Sequence, residues 1–204
     1  MPWVDHGTRP AADPTPVHAL AYRLYKTTPY EAWYVTRPCY NHVRDAACNP
    51  LIWTHARYSA QVVDSMASVI NSTMMSIPTA AQKKIYLVGY SGGGTLALLL
   101  APRLPQLAGV VTVAGNLDIN AWTTLHGYEA LSSSLNQLDM KTIPVKHIAL
   151  VGDKDTNIPF SILNQYLALH PDTDVEHFTN FDHVCCWEKN WPALLNTTLA
   201  NMNQ

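Results

Sequence analysis

The sequence of 204 residues predicts an α/β fold: a three-layer α/β/α sandwich around a mostly parallel sheet. Three observations predict it. Apolar runs alternate along the chain with amphipathic ones. The central apolar runs are rich in Val, Ile and Leu, as in strands covered on both faces. Hydrophobic residues make up 48% of the chain and charged residues 14%, a balance that suits one packed core and argues against disorder.

The elements follow in order. "TPVHALAYRLY" predicts a first helix, with Thr15 as its N-cap, Pro16 at its first position, and Val17, Leu20, Ala21 and Leu24 on one face. "EAWYVTRP" (31–38) reads as a strand. "SAQVVDSMASVINSTM" predicts a helix capped by Ser59, with Val62, Met66, Val69, Ile70 and Met74 at helical spacing. "KKIYLVG" (83–89), "AGVVTVAG" (108–115) and "VKHIALVG" (145–152) read as central strands, and "DVEHFTNF" (174–181) as a weaker last one. Residues 116–144 break the alternation and read as an excursion over one edge, a small cap on a single domain spanning 1–204.

Several function classes are excluded or disfavoured. A formal net charge of -2 gives no basic field for nucleic acid, so no such partner is expected. No apolar stretch approaches the roughly 18 residues of an integral membrane segment. "MPWVDHGTRP" lacks a charged n-region followed by an apolar h-region, so no signal peptide is read in it. No metal and no cofactor is expected: the four cysteines form no C-x-x-C pair, and adjacent cysteines rarely chelate one tetrahedral ion. The sequence carries no reading of oligomeric state.

The chemistry is carried by Gly89-Tyr90-Ser91-Gly92-Gly93, a G-x-S-x-G pattern between a predicted strand and a predicted helix. The serine there occupies a strained strand-to-helix turn, which neighbours without side chains allow. No G-K-[ST] follows, so a phosphate-cradling loop is disfavoured. Ser91 is the candidate nucleophile, and the backbone N–H of Gly92 is the candidate oxyanion donor.

A serine hydroxyl needs a base that a third group orients. In the order Ser, acid, His, the acid should follow a later strand and the base the last one. "VGDKDTNIP" places Asp155 past a strand, with Pro159 opening the next helix. Asp153 reads as a turn residue, and Asp118 in "GNLDINAW" is a third candidate acid. "FDHVCCW" gives His183 as the base, while His177 lies within the strand pattern. Tyr90 and Trp122 are candidates to line a substrate pocket. Cys39 and Cys48 bracket a short polar loop that a disulfide can close; two reduced thiols are the open alternative. For Cys185 and Cys186 both a bond and two thiols remain open.

With these motifs the chain resembles the α/β-hydrolase superfamily. It is most similar to a group of bacterial α/β-hydrolases that share "DPTP" (Asp13 to Pro16), "RPC" (Arg37 to Cys39), a W-T-x-A-R-[FY]-S segment (Trp53 to Ser59) and "GYSGGG". The resemblance implies a serine hydrolase cleaving a carboxylic ester or related acyl bond of a small molecule through Ser91, His183 and Asp155. It implies a Cys39–Cys48 bridge and an extracytoplasmic location. Members of the group carry an upstream strand whose loop gives a second oxyanion donor. The sheet is therefore expected to lack N-terminal strands, with residues near Met1 to Val4 the remaining source of that donor. A weakly active or non-catalytic protein of the same fold is the alternative this departure implies.

Overall fold

A computed structural model describes residues 3–4, 9–43, 45–77 and 83–204. Two short strands, β1 (Trp3–Val4) and β2 (Arg9–Pro10), pair antiparallel at the start. Then come α1 (Leu20–Thr27), α2 (Ala60–Met75), β3 (Ile85–Tyr90), α3 (Gly92–Leu100) and β4 (Leu107–Val113). The chain continues through α4 (Ile119–Leu125), β5 (Lys146–Gly152), α5 (Asn164–Leu169), β6 (Asp174–Phe178) and α6 (Trp187–Met202).

Among the described residues the main sheet has the order β3-β4-β5-β6, parallel throughout. Its strands alternate sides with period two. Val110, Ala149 and Val151 face a core completed by α2 and α3, and Val111, Val113, Ile148 and Leu150 face one completed by α1 and α6. Helices therefore cover both faces, which is why β4 and β5 are apolar on each side. All four carboxyl ends lie along one edge of the sandwich, where the connecting loops carry Ser91, Asp155 and His183.

Helix α2 starts where the sequence predicts it, with the Ser59 hydroxyl accepting from the Val62 N–H. Its buried stripe takes Val63 in place of Val69, which is exposed. Helix α1 begins later than expected, at Leu20 with Ala19 at the cap. The Thr15 hydroxyl instead accepts from the Asn41 N–H, the Thr15 N–H donates to Asp13 at 2.8 Å, and Val17 is exposed. Leu20 and Leu24 are the residues that α1 buries.

The expected strand at 31–38 is not one. These residues run without regular structure and pair with no strand among those described. The apolar run Ala32 to Val35 favours an extended chain, but a strand exists only with a partner to close its ladder. Between this segment and the free edge of β3 runs a cleft of about 1790 Å³, which α1 and α2 also line. Among the described residues the sheet thus ends at β3 and is short of N-terminal strands, as expected.

Residues 116–144 carry α4 and a short 3₁₀ turn at Gln137–Asp139. They are tied down by Leu117, Ile119 and Leu131 in the core. The Ser134 hydroxyl also donates to the His55 carbonyl at 2.6 Å.

Candidate active site

Ser91 stands at φ 52°, ψ -123°, between the last residue of β3 and the first of α3. A β-carbon-bearing residue at positive φ is strained, and such strain persists only where the surroundings over-determine it. Here they do. The Ser91 N–H donates to the Val113 carbonyl at 3.0 Å, and its carbonyl accepts from the N–H groups of Gly94 and Asn116 at 2.9 and 3.0 Å. Gly89 is required for a different reason: a β-carbon there would run into the Gly93 carbonyl. Gly93 itself faces open space, so its part is to lend its backbone to that close approach.

The imidazole of His183 reaches both partners. Its Nε2 lies 3.1 Å from Ser91 Oγ, and its Nδ1 lies 2.8 Å from Asp155 Oδ2. Asp155 is buried, at 4% exposure, and its other oxygen accepts the N–H groups of Asn157 and Ile158 at 2.9 and 2.7 Å. An acid so held can accept an Nδ1–H bond and leaves the Nε2 lone pair turned toward Ser91. The other candidate acids are engaged elsewhere. Asp118 caps α4 by accepting from Asn120 and Ala121, and Asp153 pairs with His177 at 2.8 Å.

The loop that carries His183 is built locally. The Asp182 carboxylate accepts from the N–H groups of Val184 and Cys185, and these bonds hold it below the usual carboxylate range. The Trp187 indole donates to the Asp182 carbonyl at 2.9 Å. The Tyr90 hydroxyl donates to the His183 carbonyl at 3.0 Å; burial, then the Asp155 charge, raise its ionisation well above the ordinary phenol range. Cys185 and Cys186 are bonded to each other, so of the two open readings the disulfide is the one found. Cys39 and Cys48 are also bridged, with their Cα atoms 5.6 Å apart.

Gly92 opens α3, where its N–H has no intrahelical acceptor. Its Cα is closed in by the Tyr58 hydroxyl and the Arg37 guanidinium. Arg37 donates to the Gly92 carbonyl at 3.3 Å and lies over the Tyr58 ring, 5.0 Å from its centroid. Tyr90 and Trp122 line the same cleft as Ser91. The Trp122 indole N–H is buried with no hydrogen-bond partner among the described residues, and its ring joins His126 and Tyr128 in an aromatic cluster. Met1 and Pro2, and with them half of the expected second donor segment, lie outside the described residues; Trp3–Val4 pair with β2.

Sequence reasoning reaches Ser91, Asp155 and His183 but not Arg37, Tyr58 or Asn157. The Asn157 side chain places its Nδ2 3.0 Å from His183 Nε2. Its position two residues after the acid was the available signal; Arg37 and Tyr58 lie in the "RPC" and W-T-x-A-R-[FY]-S segments, from which no role at the site was read.

Solved structures with the same fold include a lipase-esterase related protein from Clostridium acetobutylicum. It has 14% identity and a TM-score of 0.51, over 68% of this chain and 74% of that one. The esterase domain of a Rhodothermus marinus protein matches at 13% identity and a TM-score of 0.55, over 74% of each chain. Acetyl xylan esterase 1 from a Thermoanaerobacterium species matches at 14% and 0.52, over 79% of this chain and 60% of that one. A comparison with curated proteins finds no match. The sequence profile of the dienelactone hydrolase family matches residues 21–190. That match covers most of the sandwich and all three residues joined at its carboxyl edge, and the chain belongs to the dienelactone hydrolase family, hydrolases of the α/β-hydrolase superfamily.

Proposed function

We propose that the protein is a serine hydrolase that cleaves a carboxylic ester or related acyl bond of a small molecule through an acyl-enzyme. One observation carries the reading: a serine at a positive-φ turn, hydrogen-bonded to a histidine whose other nitrogen meets a buried carboxylate. Ser91 Oγ attacks the acyl carbon as His183 Nε2 takes its proton, and the carbonyl π electrons move to oxygen. The Gly92 N–H donates to that oxyanion, aided by the dipole at the α3 N-terminus. The oxyanion collapses, the leaving group takes the proton from His183, and water repeats the sequence to free the acid. Asp155 holds the imidazole tautomer and stabilises the imidazolium throughout. Tyr90 and Trp122 shape the substrate pocket.

Treatment with a fluorophosphonate probe tests this. Wild type is expected to be labelled and Ser91→Ala not; an unlabelled wild type, or equal labelling of both, defeats it. The weakly active or non-catalytic reading rests on the open β3 edge and the single identified oxyanion donor. Loss of one donor typically costs roughly 2.7–4 kcal/mol of transition-state stabilisation. Turnover of a short-chain p-nitrophenyl ester, abolished in both Ser91→Ala and His183→Ala, rejects a non-catalytic protein. The domain reading stands with this proposal: one domain over 1–204, with 116–144 as a cap beside the site. An extracytoplasmic location is part of the same reading, and the two disulfides support it.

A further inference from the structure

The imidazole of His183 has two neighbours on one nitrogen. Ser91 Oγ stands 3.1 Å from Nε2, and Asn157 Nδ2 stands 3.0 Å from the same atom. With Nδ1–H donating to Asp155, Nε2 holds a single in-plane lone pair. A serine O–H and an amide N–H cannot both take that lone pair at full strength. The amide is held in place by its own backbone: the Asn157 N–H donates to Asp155 Oδ1, and its carbonyl lies 2.8 Å from His126 Nε2. With its oxygen facing Nε2 instead, the side chain would set acceptor against acceptor.

We infer that Asn157 is a positioning residue that competes with Ser91 for the Nε2 lone pair and so restrains the base in the resting protein. The inference rests on the serine hydrolase reading above. The sign follows from the chemistry. The Asn157 bond stabilises the neutral imidazole, which is the ground state. When Nε2 takes the serine proton the lone pair is gone, and an N–H would face an N–H. An interaction present in the ground state and absent from the transition state raises the barrier. A net hydrogen bond corresponds to a factor of about 3 to 10 in rate.

Asn157→Leu is therefore expected to react with the fluorophosphonate about 3- to 10-fold faster than wild type. In an ester assay kcat should rise by the same factor with KM unchanged. An equal or slower labelling rate in a variant with wild-type thermal stability overturns the inference. A second measurement needs no activity and covers a variant that is labelled slowly because its site has loosened. In Ser91→Ala the amide is the remaining donor to Nε2. The imidazole ¹⁵N resonance of unprotonated Nε2 should then stay at its hydrogen-bonded, upfield position. In Ser91→Ala with Asn157→Leu it should move downfield. The same position in both proteins overturns the contact. A wild type that the probe does not label would defeat the hydrolase reading, while the resonance pair still decides whether Asn157 holds Nε2.

Discussion

Space beside Ser91 is set by atoms from two distant parts of the chain. The Gly92 Cα faces the Tyr58 hydroxyl and the Arg37 guanidinium, and both are held, Arg37 by the Gly92 carbonyl and by stacking over Tyr58. A β-carbon at 92 must therefore displace the Tyr58 oxygen or tilt the first turn of α3, which carries the candidate oxyanion donor. Gly92→Ala is expected to slow fluorophosphonate labelling by roughly 10²-fold, the scale of losing one oxyanion donor. The overpacking itself should cost about 1–3 kcal/mol of stability by urea denaturation. Tyr58→Phe removes the obstructing oxygen, so the double variant should label faster than Gly92→Ala alone. Additive losses in the two variants would show that the hydroxyl is not the obstruction. The G-x-S-x-G pattern made the turn legible, yet it credits both flanking glycines alike. The structure separates them: position 89 admits a neighbouring backbone and position 93 faces open space. That distinction depends on contacts between distant residues, which a local pattern does not carry.

The strands β4 and β5 also hold a buried polar group. His147, in β5, has Nε2 2.9 Å from the Thr112 hydroxyl of β4 and Nδ1 2.9 Å from the Tyr166 hydroxyl of α5. Burial, with the neighbouring His170, pushes its ionisation down to about 3. In the unfolded chain the same side chain takes a proton near 6.5. Below that pH the unfolded state binds a proton that the folded state refuses, so stability falls as pH drops from about 6.5 toward 3, and it is fully present above 6.5. Urea denaturation between pH 8 and pH 4 should show this decline in wild type and a shallower one in His147→Gln. Equal slopes would mean that His147 is protonated without cost. The strand containing His147 was legible because β4 and β5 are continuous apolar runs, and burial on both faces leaves that mark. The segment 31–38 has a similar mark and forms no strand. Hydropathy reports a tendency to extend, while burial and pairing depend on what lies alongside; alongside this segment lies a cleft, and Trp33, Tyr34 and Val35 are exposed.

At the scale of the molecule, the question is what fixes residues 31–43, which have no ladder. Three links do. The Asn41 N–H donates to Thr15, Arg37 reaches the Gly92 carbonyl, and the Cys39–Cys48 bridge ties the segment to the turn at 50–53. That turn is in turn anchored by Trp53, buried and donating its indole N–H to the Ala11 carbonyl at 3.1 Å. The bridge is thus the covalent link between the wall that crowds Gly92 and the core that α2 and α3 build. Closing a loop of this length stabilises by about 2–3 kcal/mol through the entropy of the unfolded chain. Cys39→Ser with Cys48→Ser should lose about that much stability. The effect should be uneven: amide hydrogen exchange should quicken most across 31–43, through local opening, while β4 and β5, which exchange through global unfolding, should quicken only by the factor the global loss sets. Because Arg37 moves with the segment, labelling of Ser91 should slow in the same variant without any change at the triad. Uniformly faster exchange, with labelling intact, would place the bridge outside the support of the site and leave Arg37 held by its contacts with Tyr40, Tyr58 and Gly92.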